Sequence, residues 1–148
     1  MRPKSRFLDG FFGFFREVRF DGKPFGYEFG DCLLQPPDVA YRGKDSISTL
    51  FISGDLRNDI RSDKSFLYVE KLSKDHWDVV ATDTDIETKI HWIRTNSLLN
   101  YSNVRITWEI PIDTSPGTYR VRHVGSYKYW LNGEIYEYEG KTKSFEVK

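Results

Sequence analysis

The residues best suited to bind a ligand lie in one short turn between two predicted strands. Segment 82–89 reads TDTDIETK, in which Asp83, Asp85 and Thr88 form a D-x-D-x-x-T pattern. Hard cations such as Ca²⁺ and Mg²⁺ bind carboxylate, carbonyl and hydroxyl oxygens, and a short loop with alternate Asp residues can bring these together. Asp is also a common turn residue, because its side chain bonds to nearby backbone. The spacing identifies a candidate metal loop, and an ordinary turn remains the alternative.

The other residue types that carry out catalysis form no recognisable pattern. The chain has three histidines, His76, His91 and His123, and a single cysteine, Cys32. Their spacing contains none of the HxxxH, HxH or CxxC patterns typical of zinc sites. The sequence also lacks a GxSxG nucleophile elbow and a phosphate-binding glycine loop. We therefore expect each histidine to be structural or exposed, and we predict no catalytic residue.

The composition is typical of one folded domain with a real hydrophobic core. The 148 residues are 39% hydrophobic and 16% aromatic, and the aromatic fraction favours β-structure. Lys plus Arg and Asp plus Glu balance at 22 each, so electrostatics gives no reason to expect binding to nucleic acid. No apolar run approaches the ~18 residues of a membrane span. The basic N-terminus lacks a small-residue cleavage site, so we expect no signal peptide in this chain.

Period-two alternation of apolar residues predicts strands from residue 47 onwards. The predicted strands are 47–53, 65–72, 76–82, 88–94, 103–110, 117–124 and 142–148. Most of them are separated by turn residues such as Gly, Pro, Asn and Asp. About seven short strands at this spacing favour an all-β fold, an antiparallel β-sandwich of immunoglobulin type.

Two of these strands also predict which side chains face the core. In 103–110 the apolar residues Val104, Ile106, Trp108 and Ile110 alternate with polar ones. In 117–124 the alternation places Tyr119, Val121 and His123 on one face and Arg120, Arg122 and Val124 on the other. The arginine face is then solvated or partner-facing, without a catalytic role. Tyr119 follows Pro116-Gly117, where the hydroxyl of a tyrosine corner would bond to the preceding loop.

The N-terminal part divides into an aromatic arm and a lead-in. Residues 1–24 are predicted to be an arm or linker, and residues 25–148 the domain. The apolar residues of the arm are Phe7, Leu8, Phe11, Phe12, Phe14 and Phe15. They either fold onto the core, dock on a neighbouring protein or enter a membrane interface. Segment 10–45 is rich in Gly and Pro and is predicted to be extended rather than a packed element.

Several stretches, in order, resemble the C-terminal domain of neutral (alkaline, non-lysosomal) ceramidases. The most distinctive are WDVVATDTDIETKIHWIR, VRITWEIPIDTSPGTYRVRHVGSYK and YEGKTKSFEV, preceded by FGDCLLQPPDVAY and SFLYVE. The resemblance covers about residues 25–148. Ile86 stands where the family usually has Trp, and GDLRND replaces the usual NPRN loop.

The resemblance implies a function that the residues alone do not reveal. Neutral ceramidases hydrolyse the amide of ceramide to sphingosine and a fatty acid. Their large N-terminal domain carries the catalytic Zn²⁺ and the serine nucleophile, and their C-terminal domain is an immunoglobulin-like sandwich. The chain is thus expected to be the non-catalytic domain, with the catalytic domain as its partner, in the same polypeptide or separate. The family also implies a secreted or membrane-associated location.

The same resemblance supports a metal-binding role for segment 82–89. In the family a structural Ca²⁺ or Mg²⁺ lies near the junction of the two domains, held partly by the D-x-D-x-x-T stretch. That role carries over to Asp83, Asp85 and Thr88. The alternative function is a free-standing immunoglobulin-like module that binds a protein or a lipid surface. An independent metal-dependent enzyme using Asp83, Asp85 and a histidine is the third and least supported reading.

Overall fold

A computed structural model describes residues 20–59 and 65–148 of the chain. These residues form ten strands and one short 3-10 helix, Leu56–Asn58. The strands are β1 (Cys32–Leu34), β2 (Val39–Ala40), β3 (Ser46–Ser53), β4 (Leu67–Ser73), β5 (His76–Thr82), β6 (Thr88–Asn96), β7 (Tyr101–Glu109), β8 (Gly117–Lys128), β9 (Ile135–Lys141) and β10 (Phe145–Val147). In the described part of the chain, no helix is long and apolar enough to cross a membrane.

The strands form two sheets that pack face to face. A four-stranded sheet has the order β1-β3-β7-β6, and a six-stranded sheet has the order β2-β10-β8-β4-β5 with β9 also paired to β8. All pairs are antiparallel except β2 with β10. The predicted all-β sandwich is therefore confirmed. Each of the seven predicted strands is present, with ends that move by a few residues.

Three strands are not predicted from the sequence, so the expected number of about seven is too low. β1 and β2 have three and two residues and lie in the Gly- and Pro-rich lead-in, which was wrongly expected to contain no packed element. Such short strands carry no periodic signal and form only because β3 and β10 offer them open edges. β9 is largely exposed, with Tyr138 and Gly140 as its buried residues, so its sequence alternates too weakly to be recognised.

The core lies between β7 of one sheet and β8 of the other. Trp108 is 2% exposed, and its ring centroid lies 5.5 Å from that of Tyr119 and 6.4 Å from that of Phe145. The inward residues predicted for β7 are all buried. The predicted tyrosine corner is also present, because the hydroxyl of Tyr119 donates to the carbonyl oxygen of Ser115 at 2.6 Å. This bond ties the start of β8 to the β7–β8 loop.

The chain enters the sandwich before the predicted domain start. Asp21 is buried, and Gly22 forms an isolated bridge with Tyr101 at the start of β7. The backbone N–H of Asp21 donates to the carbonyl of Lys128 at the end of β8. The boundary at residue 24 stays a prediction, and the aromatic residues 7–15 lie outside the described part of the chain.

Candidate functional site

The candidate metal loop joins β5 in one sheet to β6 in the other. Asp83 Oδ2 accepts the N–H of Phe66 at 2.9 Å, and Asp85 Oδ2 accepts the N–H of Thr82 at 2.7 Å. The hydroxyl of Thr88 lies 2.7 Å from the carbonyl oxygen of Thr82 and 2.8 Å from that of Asp85. The three predicted residues are therefore in one turn. Asp85 and Thr88 bond within this turn, whereas Asp83 ties it to the residue before β4.

The oxygen atoms of this loop are of the type that binds a hard cation, but they are few. Each aspartate uses one carboxylate oxygen for a backbone N–H, and the described residues supply no hydrogen-bond partner for the other. These two oxygens, the Thr88 hydroxyl and two carbonyls are the ligand class that Ca²⁺ and Mg²⁺ prefer. Across residues 20–59 and 65–148, however, no three His, Cys, Asp or Glu side chains are grouped to hold a metal. Such a site would need further ligands, and the assignment stays a prediction.

The histidines have the structural or exposed settings that the sequence indicates. His123 is buried, with Nδ1 2.8 Å from the carbonyl oxygen of Phe66 and Nε2 2.9 Å from the hydroxyl of Tyr138. A carbonyl can only accept, so Nδ1 donates a hydrogen bond to Phe66, and in the neutral ring Nε2 accepts one from the Tyr138 hydroxyl. His76 is exposed beside Asp75 and Asp78, and His91 is exposed on β6. Burial raises the pKa of the Cys32 thiol, which disfavours the nucleophilic thiolate.

The arginine face of β8 is satisfied within the chain. Arg120 Nε donates to Glu70 Oε1 at 2.7 Å, and Arg122 Nε donates to Glu70 Oε2 at 2.8 Å. The two guanidinium groups also lie over aromatic rings, 4.2 Å from the Trp77 centroid and 4.3 Å from the Tyr68 centroid. A buried carboxylate between two stacked arginines stabilises the sheet. No reacting group is needed to explain these residues.

A buried polar network lies where β3 and β8 end. Asp21 Oδ1 accepts the N–H of Asp55, and its Oδ2 accepts the N–H of Lys128 and the amide of Asn58. Burial raises the pKa of Asp21, although these hydrogen bonds oppose the rise. The hydroxyl of Tyr138 accepts the N–H of Gly54 at 3.1 Å, and burial raises the pKa of Tyr138 as well.

Asp55 connects this network to Arg57, in the 3-10 helix that follows β3, and to Arg94, near the end of β6. Its carboxylate binds Arg57 Nη2 at 2.7 Å and Arg94 Nη2 at 3.5 Å. Burial by itself would raise the pKa of Asp55, but the hydrogen bonds from Arg57 hold it below the usual value. Asp21, Asp55 and Arg94 were not predicted as a group from the sequence. Asp55 lies 34 residues from Asp21 and 39 residues from Arg94 along the chain, so no local pattern links the three.

Comparison with known proteins decides the family. The model of the C-terminal part of "Neutral/alkaline non-lysosomal ceramidase" matches residues 2–147. The chain belongs to this family. The match includes most of the predicted aromatic arm, and it begins well before the resemblance read from the motifs. It confirms that resemblance over the whole domain.

Two curated ceramidases show how much of the family's length this chain represents. It is 44% identical over 132 residues to neutral ceramidase of Drosophila pseudoobscura pseudoobscura, covering 88% of this chain and 18% of that protein. It is 40% identical over 125 residues to neutral ceramidase of Pseudomonas aeruginosa, covering 82% of this chain and 18% of that protein. The chain thus spans about a fifth of the length of the ceramidases it matches.

A solved ceramidase structure confirms the fold of the domain. The crystal structure of neutral ceramidase from Pseudomonas aeruginosa superposes with a TM-score of 0.81 at 38% identity. The superposition covers 87% of this chain and 20% of that one. The sandwich is therefore the ceramidase C-terminal fold, and the comparison leaves the metal role of Asp83, Asp85 and Thr88 untested.

Proposed function

We propose that this chain is the non-catalytic domain of a neutral ceramidase and that it stabilises and orients a zinc-dependent catalytic domain. The observation that carries the proposal is the match to the C-terminal part of the family together with coverage of only 18% of the relatives. In this proposal the other four-fifths of such a ceramidase bind Zn²⁺ and hydrolyse ceramide to sphingosine and a fatty acid. The location is then secreted or membrane-associated, as cell fractionation would test.

The test replaces the matching segment of Pseudomonas aeruginosa neutral ceramidase with this chain. We call this protein the chimera, and we compare it with the same enzyme lacking the segment. The chimera is expected to hydrolyse ceramide and to melt at a higher temperature than the truncated enzyme. The 148-residue chain alone is expected to release no fatty acid. Hydrolysis by the purified chain, or a truncated enzyme as stable and active as the intact one, would contradict the proposal.

We further propose that Asp83, Asp85 and Thr88 contribute to a structural Ca²⁺ or Mg²⁺ site at the junction with the catalytic domain. The supporting observation is the unused carboxylate oxygens beside the Thr88 hydroxyl and two carbonyls. The ligands that this chain lacks would come from the catalytic domain or from water.

An exposed apolar tip favours the second candidate function, a module that binds a lipid surface. Trp130 and Leu131 are exposed in the β8–β9 hairpin, and Leu98 and Leu99 are exposed in the β6–β7 turn. Both turns lie at the same end of the sandwich, because the N–H groups of the successive residues Asp21 and Gly22 donate to the carbonyls of Lys128 and Asn100, respectively. Trp with aliphatic neighbours is typical of residues at a membrane interface.

Cosedimentation with vesicles of phosphatidylcholine and sphingomyelin tests this second function. The wild-type chain is expected to sediment with the vesicles, and a Trp130→Ser, Leu131→Ser variant is expected to stay in solution. Val39→Ser on β2 is the control for loss of an exposed apolar residue elsewhere. Equal sedimentation of both variants, or none by the wild type, would rule out the tip as a lipid contact.

A further inference from the structure

The turn between β6 and β7 leads into a motif that the proposed ceramidase role does not explain. Residues 100–102 read Asn100-Tyr101-Ser102, which is the N-x-S pattern of an asparagine that accepts an N-linked glycan. The chain has five asparagines, and Asn100 alone is followed by Ser or Thr two positions later. A three-residue pattern also arises by chance, so its meaning depends on the setting of Asn100 and Ser102 in the fold.

The side chain of Asn100 is available in the folded chain. It is partly exposed at the last position of the turn that joins β6 to β7. Its backbone carbonyl accepts the N–H of Gly22 at 3.0 Å, but no described residue bonds to its side-chain amide. By contrast, hydrogen bonds within the chain occupy the side chains of Asn58, Asn96 and Asn132. The amide nitrogen that would carry a sugar is therefore not engaged by the described part of the fold.

The backbone gives a separate reason for an asparagine at position 100. The φ angle of Asn100 is +60°, in the left-handed region that asparagine adopts more readily than most residues. Asn96 organises the same turn, since its side-chain oxygen accepts the N–H groups of Leu98 and Leu99 at 3.0 and 2.9 Å. Conformation alone would thus explain Asn100, but it does not explain the serine two positions later.

Ser102 carries a hydroxyl group that the fold does not use. The residue is 1% exposed on β7, and its Oγ is buried without a hydrogen-bond partner among the described residues. A buried hydroxyl without a partner costs free energy, whereas alanine would fill nearly the same space without that cost. Glycan transfer to N-x-S sequences acts on a chain entering the secretory compartment, before folding buries the serine. The hydroxyl of Ser102 is thus explained by the motif and not by the packing.

The neighbouring turn residues are apolar and exposed. Leu98 is 88% exposed and Leu99 is 52% exposed. A bulky, hydrated glycan on the next residue would shield both side chains from other surfaces. The turn lies at the opposite end of β6 from the candidate metal loop, and the nine residues of that strand, at ~3.3 Å each, separate the two by about 26 Å. A glycan on Asn100 therefore leaves the metal loop unobstructed.

We propose that Asn100 is an N-glycosylation site. The proposal rests on the proposed function, because a secreted or membrane-associated location brings the chain to the enzymes that transfer glycans. The co-substrate is an oligosaccharide linked to a polyprenyl diphosphate. The side-chain amide nitrogen of Asn100 forms a bond to C1 of the first sugar and loses a proton. The C1–O bond breaks, and the polyprenyl diphosphate leaves with its electron pair.

Expression of the 148-residue chain behind an added secretion signal in insect cells tests the site. The secreted chain is expected to run as a heavier band, which peptide N-glycosidase returns to the mass of the unmodified chain. This enzyme converts the modified asparagine to aspartate, so peptide mass spectrometry identifies Asn100 by that change. The same chain made without the signal is expected to show neither the heavier band nor the conversion.

Two pairs of variants separate the motif from the fold. Asn100→Asp keeps a residue that tolerates the left-handed backbone, and Ser102→Ala keeps the packing of β7. Both are expected to lose the glycan completely. Ser102→Thr preserves the motif, and Asn103→Asp changes an asparagine outside it, so both are expected to keep the glycan. Because transfer precedes folding, the peptide readout holds for a variant that folds poorly.

The glycan also bears on the second candidate function. A hydrated glycan on Asn100 keeps the β6–β7 turn in water, so it excludes a lipid contact through Leu98 and Leu99. In cosedimentation with the vesicles described above, the glycosylated chain is expected to stay in solution. Sedimentation of the glycosylated chain would contradict this shielding.

The outcomes separate the site from the function on which it rests. A secreted wild-type chain without a glycan would overturn the site and leave the ceramidase role standing. A heavier band that persists in Asn100→Asp or Ser102→Ala would place the modification elsewhere and so reject the proposal. A glycosylated chain whose chimera, as defined above, fails to hydrolyse ceramide would overturn the proposed function and leave the site.

Discussion

At the scale of single residues, the stability of the fold depends on how completely each polar or aromatic side chain is buried and paired. Trp108 and Tyr119 are both large and both almost fully buried, and Tyr119 adds a hydrogen bond to Ser115. Asp21 and Asp55 are buried acids with different surroundings. Asp21 is held mainly by N–H groups and has a raised pKa, whereas Asp55 is held by Arg57 and has a lowered one.

Trp108→Ala is expected to lower the free energy of unfolding by about 3–5 kcal/mol, because it leaves a cavity in the core. The matched control is Trp130→Ala, which removes an exposed indole and should cost no more than about 0.5 kcal/mol. Urea unfolding followed by circular dichroism measures both. A cost below about 1 kcal/mol for Trp108→Ala would mean that this side chain does not support the core.

Asp55 is expected to make stability decrease in acid. Its folded pKa lies below its unfolded value of about 3.9, so its contribution is present above that pH and is lost as the pH falls through the folded pKa. The difference in unfolding free energy between the wild type and Asp55→Asn should therefore shrink below about pH 4. Asp113→Asn, which removes an exposed carboxylate with no hydrogen-bond partner among the described residues, is the comparison. A constant difference from pH 7 to pH 3 would contradict the assignment.

At the scale of elements, β8 connects most of the six-stranded sheet. It pairs with β4 on one side and with β9 and β10 on the other, and its twelve residues alternate between core and outer face. Its outer face is linked to β4 by Arg120 and Arg122, which both donate hydrogen bonds to the carboxylate of Glu70 on β4. The sheet is thus held by cross-strand charge pairs where the core does not reach.

Glu70→Gln is expected to lower the free energy of unfolding by about 1–3 kcal/mol, since it removes the charge that two arginines share. Glu139→Gln is the control, because Glu139 is half-exposed and its carboxylate lies as far as 4.0 Å from Arg122 Nη1. It should change stability by less than about 0.5 kcal/mol. Equal effects of the two substitutions would show that the Glu70 pairs do not stabilise the sheet. Urea denaturation of the two variants makes the comparison.

At the scale of the whole molecule, function depends on what covers the sandwich. Among the described residues, one long side is closed by the lead-in, whereas the edge strands β5 and β6 on the other side pair with one strand each and carry the exposed Val79 and Val80 and the candidate metal loop. The chain covers only 18% of the Drosophila pseudoobscura pseudoobscura ceramidase that it matches, and we propose that the catalytic domain is its partner. The proposed junction with that domain would cover the candidate metal loop.

Dialysis into a buffer that contains Zn²⁺ but no Ca²⁺ or Mg²⁺ is expected to lower the melting temperature of the chimera by several degrees, because a bound cation stabilises the state that binds it. Added Ca²⁺ or Mg²⁺ should restore it. The paired substitution Asp83→Asn, Asp85→Asn should remove this response, while Asp75→Asn in the β4–β5 turn should keep it. If the substituted chimera responds to this dialysis like its parent, the loop does not hold the cation. Differential scanning fluorimetry provides the measurement.

The sequence alone determined the features that depend on local alternation and on motifs. Period two in β7 and β8 identified the core face, Pro116-Gly117 located the tyrosine corner, and the ordered motifs identified the family. The core face and the tyrosine corner could be predicted because each is encoded within one strand or one turn, and the family could be recognised because its motifs follow one another in order along the chain.

Only the tertiary structure decided the features that join distant positions. The tertiary structure paired β1 and β2 with β3 and β10, placed Glu70 between two arginines, and brought Asp21 to Asp55 and Lys128. It also showed that one side of the sandwich is closed and the other open. Neither local propensity nor period-two alternation encodes these arrangements, because each depends on the register between strands and on which edge remains unpaired after folding.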